Sequence, residues 1–211
     1  AQAEAAGCRD LIARSRYLHV YTSEAAYAAD QGAWALRREL GIPTRSLSRD
    51  ELREVEPALT DRFACGMLHD GHGVALDPGG LVKALAADFA RRQGRHLRAA
   101  VHEISPASGG GVAVATEAGP LEADTLVLAA GVWSAELART LGHDFPMTAE
   151  RGYHVMYADP GVRLSQPVMF GDWKFVANSM RDGLRLAGTA EFARADRPAN
   201  AKRTRMLDRL A

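Results

Sequence analysis

The stretch Leu121-Glu122-Ala123-Asp124-Thr125-Leu126-Val127-Leu128-Ala129-Ala130-Gly131-Val132-Trp133-Ser134 decides how the chain reads. Residues 125–130 form an almost unbroken apolar run, which suits a strand buried on both faces of a parallel sheet. The run ends in small residues at Ala129, Ala130 and Gly131. A helix is expected over 134–141, with Ser134 as its N-cap. Ligands of open α/β sheets lie beyond the carboxyl ends of the strands. Small residues at that point leave a wall for a flat cofactor, or they serve only tight strand–helix packing. Spacing alone does not choose between the two.

Upstream of the run, residues 78–93 read as a helix, with Pro78 in its first turn and Gly94 at its end. Residues 101–104 and 112–116 read as strands joined by a hairpin at Gly109-Gly110-Gly111. Nearer the start, 16–22 alternates as a strand and 24–40 as a helix stopped by Gly41 and Pro43. Ser48 with Glu51 predicts a capping box on a short helix over 49–55. A strand at 63–68 is followed by Asp70-Gly71-His72-Gly73, a turn by composition. Downstream, strands are expected at 153–157, 167–170, 175–178 and 184–187, with a last helix from about Pro198. The order implies an α/β (α+β) fold. Part of a nucleotide-binding sheet over 78–142 would join a mixed, largely antiparallel sheet flanked by helices, built from 1–77 and 143–211.

Composition narrows the function classes. The chain has 211 residues, with 26 basic and 26 acidic side chains, so it shows no excess of positive charge for nucleic acid. No apolar run approaches the ~20 residues of a membrane-spanning helix. Cys8 and Cys65 have no metal-ligand spacing and read as free thiols of a reducing, cytoplasmic compartment. His69, Asp70 and His72 lack a third spaced ligand, so no metal is expected. Ser134 lies outside a GxSxG frame and is no nucleophile. A GxGxxG dinucleotide fingerprint does not occur among these residues, and Gly71-His72-Gly73 does not supply one. Both ends have helical propensity without start or stop signals, which reads as an internal piece of a longer protein. On strand 153–157, Tyr153, Val155 and Tyr157 should share one face, and His154 and Met156 the other. Arg151 and Arg185 are candidate partners for a substrate carboxylate, although arginines on strands are more often solvated.

Four blocks in order carry a resemblance. They are Leu76-Asp77-Pro78-Gly79-Gly80-Leu81, then Asp124 through Ser134, then Glu150-Arg151-Gly152-Tyr153-His154-Val155. The last is Leu184-Arg185-Leu186-Ala187-Gly188-Thr189-Ala190-Glu191-Phe192. Together they resemble the FAD-dependent D-amino-acid oxidase and dehydrogenase family over essentially the whole chain, with bacterial D-amino-acid dehydrogenases most similar.

The resemblance implies an FAD flavoprotein that deaminates D-amino acids to 2-oxo acids and ammonia by hydride transfer to flavin. Electrons would pass to a quinone or similar acceptor, and the parent would be cytoplasmic or peripheral to the inner membrane. It places the cofactor against Val101, Ala130, Gly131, Trp133 and Gly188, and the substrate near Tyr153, His154 and Thr189. It names no catalytic base, because the cofactor carries the hard step. Neither the family's GxGxxG unit nor its terminal flavin-covering segment is found in these residues. The 211 residues alone are therefore expected to bind no FAD, to be inactive and to self-associate. A glycine- or sarcosine-oxidase-like activity, or a non-catalytic interaction domain, are the alternatives.

Overall fold

The computed structural model describes all of residues 1–211. The chain forms two compact units. One comprises Ala1–Gln93, Gly152–Ala190 and Asn200–Ala211, the other Gly94–Arg151 and Glu191–Ala199.

The first unit is built on a seven-stranded sheet of order β2-β3-β1-β8-β9-β10-β7. The strands are β1 (Ile12–Tyr21), β2 (Thr44–Ser48), β3 (Cys65–Ala75), β7 (Ala149–Tyr157), β8 (Val168–Phe170), β9 (Phe175–Met180) and β10 (Gly183–Ala193). Residues 149–151 of β7 and 191–193 of β10 belong to the second unit. Strand β1 pairs antiparallel with β3 and parallel with β8. The pairs β2–β3, β8–β9 and β9–β10 are all antiparallel. The mixed, largely antiparallel sheet expected from the sequence is therefore present.

Alternation along β1 creates two different faces. Leu18 and Val20 point into a core with Leu47, Leu52, Phe63, Leu68 and Val168. Helix α4 (Arg49–Val55) supplies Leu52, and its capping box is formed as the sequence predicts: Ser48 Oγ accepts from Glu51 N, and Glu51 Oε2 accepts from Ser48 N at 2.8 Å. The core continues with Tyr153, Phe175, Ala177 and Leu186 under Leu207 of α7 (Ala201–Leu210). Tyr17, His19 and Tyr21 alternate with these residues and occupy the other face. There Trp34 covers His19 and Tyr21, and only 1% of its surface is exposed. Trp34 lies on α3 (Gln31–Glu39), which the chain separates at Asp30 from α2 (Glu24–Ala29). The sequence pattern predicts one helix over 24–40; the break lets Asp30 meet Tyr21 and Lys174. Helix α1 (Gln2–Ala5) packs on α5 (Pro78–Arg91), capped by Asp77, and Gln93 (φ 66) rather than Gly94 takes the left-handed turn beyond it.

Residues 70–73 are a correction. Their composition is that of a turn, yet β3 runs through them to Ala75, with Ser15 opposite His72 and Arg14 opposite Gly73. The register shift between Ser15 and Tyr17 absorbs the glycine-rich segment, the role glycines have at bulges.

The second unit carries a three-stranded antiparallel sheet, β4 (Val101–Pro106), β5 (Val112–Thr116) and β6 (Gly119–Ala123). Helix α6 (Ser134–Arg139) packs on it, and Thr140 Oγ1 accepts from Ile104 N at 3.1 Å. The buried strand expected over 125–130 does not form. β6 stops at Ala123, and Val127 is 82% exposed. Apolarity signals removal from water, but a strand also needs a neighbour, and this unit's three strands pair only with one another. Ser134 is likewise not an N-cap. It is the first residue of α6, and its Oγ accepts from Ala130 N at 3.1 Å.

Candidate active site

The side-chain face of the first unit's sheet opposite α4 and α7 carries a pocket of about 380 Å³. β9 and β10 build its floor in register: Asn178 opposite Arg185, and Val176 opposite Ala187. Their alternate neighbours Phe175, Ala177 and Leu186 point into the core, so period two alone puts Val176, Asn178, Met180, Arg185 and Ala187 on the pocket side. Tyr17 and His72, from β1 and β3, line the pocket too. It therefore combines apolar walls with four polar groups, the composition expected of a small-molecule site. The Nε of Arg185 is buried and has no hydrogen-bond partner. A guanidinium offers planar donors that match a carboxylate.

Behind His72 lies a row of rings. His72 Nε2 and His69 Nδ1 are 2.9 Å apart, and the ring centroids of His69 and His19 are 5.4 Å apart. Burial, then the charge of His72, lowers the pKa of His69 to about 4. Burial, then His69 and Arg37, lowers that of His19 to about 3. Burial raises that of Tyr17 against the opposing charge of Arg37. At the far end of the row, Trp34 Nε1 donates to Tyr21 Oη at 2.9 Å, and Tyr21 Oη donates to Asp30 Oδ2 at 3.1 Å. Burial alone would raise the Asp30 pKa, but hydrogen bonds from Lys174 and Tyr21 outweigh it and lower it.

The second unit has its own cleft, about 480 Å³, whose lining includes Gly131, Trp133, Met147, Arg151 and Arg194. Gly131 has φ +59, and no atom lies within 4 Å of where a Cβ would stand. Ala130 adjoins this wall. Trp133 is exposed.

The structure thus brings together Gly131 and Trp133 of the expected cofactor residues. Val101 lies on β4, paired with Thr116, and does not line the cleft. Gly188 has a packing reason of its own: a Cβ there would stand 2.2 Å from Phe175 Cα and 2.7 Å from Lys174 O. Replacing it with alanine must push β9 and β10 apart. Overpacking of this kind costs about 2–3 kcal/mol, which lowers Tm by about 5–10 °C for a chain of this size. An unchanged Tm for Gly188→Ala would show that the strands spread freely.

Two of the expected substrate residues, Tyr153 and Thr189, meet at Arg203 of α7, and His154 lies apart from them. Tyr153 is buried and its Oη accepts from Asn200 N at 2.9 Å, at the start of α7. Thr189 Oγ1 accepts from Arg203 Nη1 at 2.8 Å, and the Arg203 guanidinium lies 5.8 Å from the Tyr153 ring centroid. His154 is exposed on β7. None of the three lines the sheet-face pocket. Sequence reading misses Tyr17, His72 and Asn178, and weighs Arg185 as solvated. The signal is present in Tyr17-x-His19-x-Tyr21, three polar-tipped rings at period two, and in the hairpin that sets Asn178 across from Arg185.

The chain shares the fold of about half of each of several solved oxidase chains. Glycine oxidase from Geobacillus kaustophilus superposes with a TM-score of 0.80 at 24% identity, over 95% of this chain and 54% of that one. The chain belongs to the FAD dependent oxidoreductase (DAO) family, whose model matches residues 2–211. It is 36% identical to a D-amino-acid oxidase of Bradyrhizobium diazoefficiens over 205 residues, 97% of this chain and 48% of that protein. It is 30% identical to a D-amino acid dehydrogenase of Dechloromonas aromatica over 187 residues, 83% of this chain and 44% of that protein. The chain thus spans about half the length of these curated relatives.

Proposed function

We propose that this chain forms the substrate-recognition part of an enzyme that oxidises the Cα–N bond of neutral D-amino acids. The observation that carries the reading is the unpartnered, buried Nε of Arg185 in an apolar-walled pocket on the sheet face. A zwitterionic amino acid needs one cation for its carboxylate, and Arg185 supplies it with Asn178 alongside. Val176, Met180 and Ala187 then face a small apolar side chain. The names of the curated relatives agree with that substrate class.

The residues of the second unit fit FAD on its open side. The backbone at Gly131 admits a flat group without a Cβ in the way, Trp133 offers a ring face, and Arg151 offers a cation for phosphate. FAD, when bound, supplies the acceptor for the hydride that leaves Cα. The chain's part is to hold the carboxylate, orient Cα–H and keep the amine uncharged. The imine so released hydrolyses to a 2-oxo acid and ammonia. The electron acceptor we favour is a quinone, with the protein in the cytoplasm or against a membrane surface. No helix is long and apolar enough to cross a membrane.

The test is full-length protein with bound flavin, mixed with D-alanine and a dye acceptor, with oxygen uptake followed in parallel. Dye reduction with D-alanine or another neutral D-amino acid is expected. Turnover confined to glycine, sarcosine or glycerol 3-phosphate would overturn the reading.

A further inference from the structure

Amine oxidation by hydride loss needs the free amine, because an ammonium nitrogen has no lone pair to stabilise the developing cation. Free amino acids are mostly ammonium ions at neutral pH, so a group in the pocket that takes a proton raises the reactive fraction. Four polar side chains line it: Tyr17, His72, Asn178 and Arg185. Arginine does not deprotonate in proteins and an amide is no base. Burial raises the Tyr17 pKa, so its phenol stays protonated. That leaves the imidazole. Resting on the D-amino-acid reading above, we infer that His72, hydrogen-bonded to the buried His69, is the base that accepts the substrate's ammonium proton.

The pair has the arrangement such a base requires. The Nε2 of His72 lies 2.9 Å from His69 Nδ1; with His72 as the donor, its Nδ1 is left to receive a proton, and His69 carries its own proton on Nε2, which is buried without a partner. The N–H bond of the ammonium breaks, a bond to Nδ1 forms, and the electron pair stays on the amine nitrogen. His72 is then an imidazolium and must donate from Nε2, for which His69 Nδ1 is the acceptor. A hydrogen bond from a charged donor is about twice as strong as a neutral one, so His69 favours the transfer. His69 does not take the proton onward. It is 5% exposed, and its burial, with the charges of His72 and Arg37, keeps it neutral. Charge therefore stays at the pocket end of the row.

The Tyr17 ring on β1 lies tilted against His72 at 5.0 Å between centroids, and burial keeps its phenol protonated. At His69, Asp70 on the same strand favours the charged form, whereas Arg37 on α3 opposes it. Amines without a carboxylate would leave the buried Arg185 Nε unpaired, so discrimination against them is expected.

The experiment measures flavin reduction by D-alanine in the full-length holoenzyme, without oxygen, across the pH range. In His72→Gln the rate at neutral pH should fall about a hundredfold, the usual scale of a general base. At strongly alkaline pH, where the free substrate is already an amine, the variant should approach the wild-type rate. Acetate, a carboxylate lacking the amine, should perturb bound flavin at the same concentration in both proteins. A variant that matches wild type at every pH would overturn the inference. So would one reduced by the same factor at every pH, since that marks a structural role. If wild type itself is not reduced by any D-amino acid, the substrate reading fails first and this one with it.

Discussion

Replacing Arg185 with leucine in the full-length flavoenzyme should raise KM for a neutral D-amino acid by roughly thirtyfold to a few thousandfold. The basis is the guanidinium whose Nε is buried without a partner in the sheet-face pocket. Removing one side of a buried, hydrogen-bonded charge pair costs about 2–5 kcal/mol, and each 1.4 kcal/mol is about tenfold in affinity. Leucine is comparable in bulk near the backbone, so pairing of β10 with β9 should survive. Arg185→Lys should recover only part of the loss, because an ammonium keeps the charge but not the planar fork. The measurement is the dependence of turnover on D-alanine concentration in the three proteins. If KM is unchanged in Arg185→Leu, the carboxylate binds elsewhere, and Arg151 becomes the next candidate.

How far the sequence reveals this differs by element. Local chemistry is legible: the capping box at Ser48 and Glu51, Pro78 in the first turn of α5, and the hairpin glycines between β4 and β5 each act within a few residues. Period-two alternation also places the strands of the first unit, since one face of each is packed into a core. Long-range pairing is not legible. The apolar run 125–130 has the composition of a buried strand, yet a strand exists only where a second backbone meets it, and composition does not report that. The turn expected at 70–73 fails for the opposite reason. Glycines that suggest a reversal can also serve a strand that bulges against its neighbour, and β1 is there to receive it.

The site is harder again, because the β9–β10 hairpin meets residues of β1 and β3 more than a hundred positions earlier in the chain. Arg185 looks solvated in isolation; only its position opposite Asn178, with Val176 and Ala187 beside it, turns it toward a pocket. Tyr153 and Thr189 show the reverse. Their polar tips suggest a ligand, but the chain's own α7 uses both, through Asn200 and Arg203. A polar side chain on a strand has no role until its partner is known.

Acidification should destabilise the protein through the buried histidines before its carboxylates titrate. His19 and His69 are held neutral in the folded state, with pKa values of about 3 and about 4 against 6.5 when unfolded. Burial is the first cause in both. A depressed folded value means that the unfolded chain binds protons first as pH falls. The neutral rings therefore contribute fully above pH 6.5, and their contribution is lost between 6.5 and 3–4. At pH 5 the full shifts would amount to about 2 kcal/mol for each ring, and relaxation of a partly hydrated site halves that, leaving a loss of about 2 kcal/mol for the pair. Asp30, tied to Lys174, is lowered below its ordinary 3.8 and so loses its own contribution only at lower pH. Over the interval from pH 7 to 5, the difference between wild type and a variant lacking both rings reads the two imidazoles. Denaturant unfolding at both pH values should give that loss in wild type and a much smaller one in His19→Gln/His69→Gln, whatever the variant's absolute stability. Equal losses in the two proteins would mean that the rings admit protons in the folded state. The neutral His69 on which proton acceptance by His72 depends would then be gone as well.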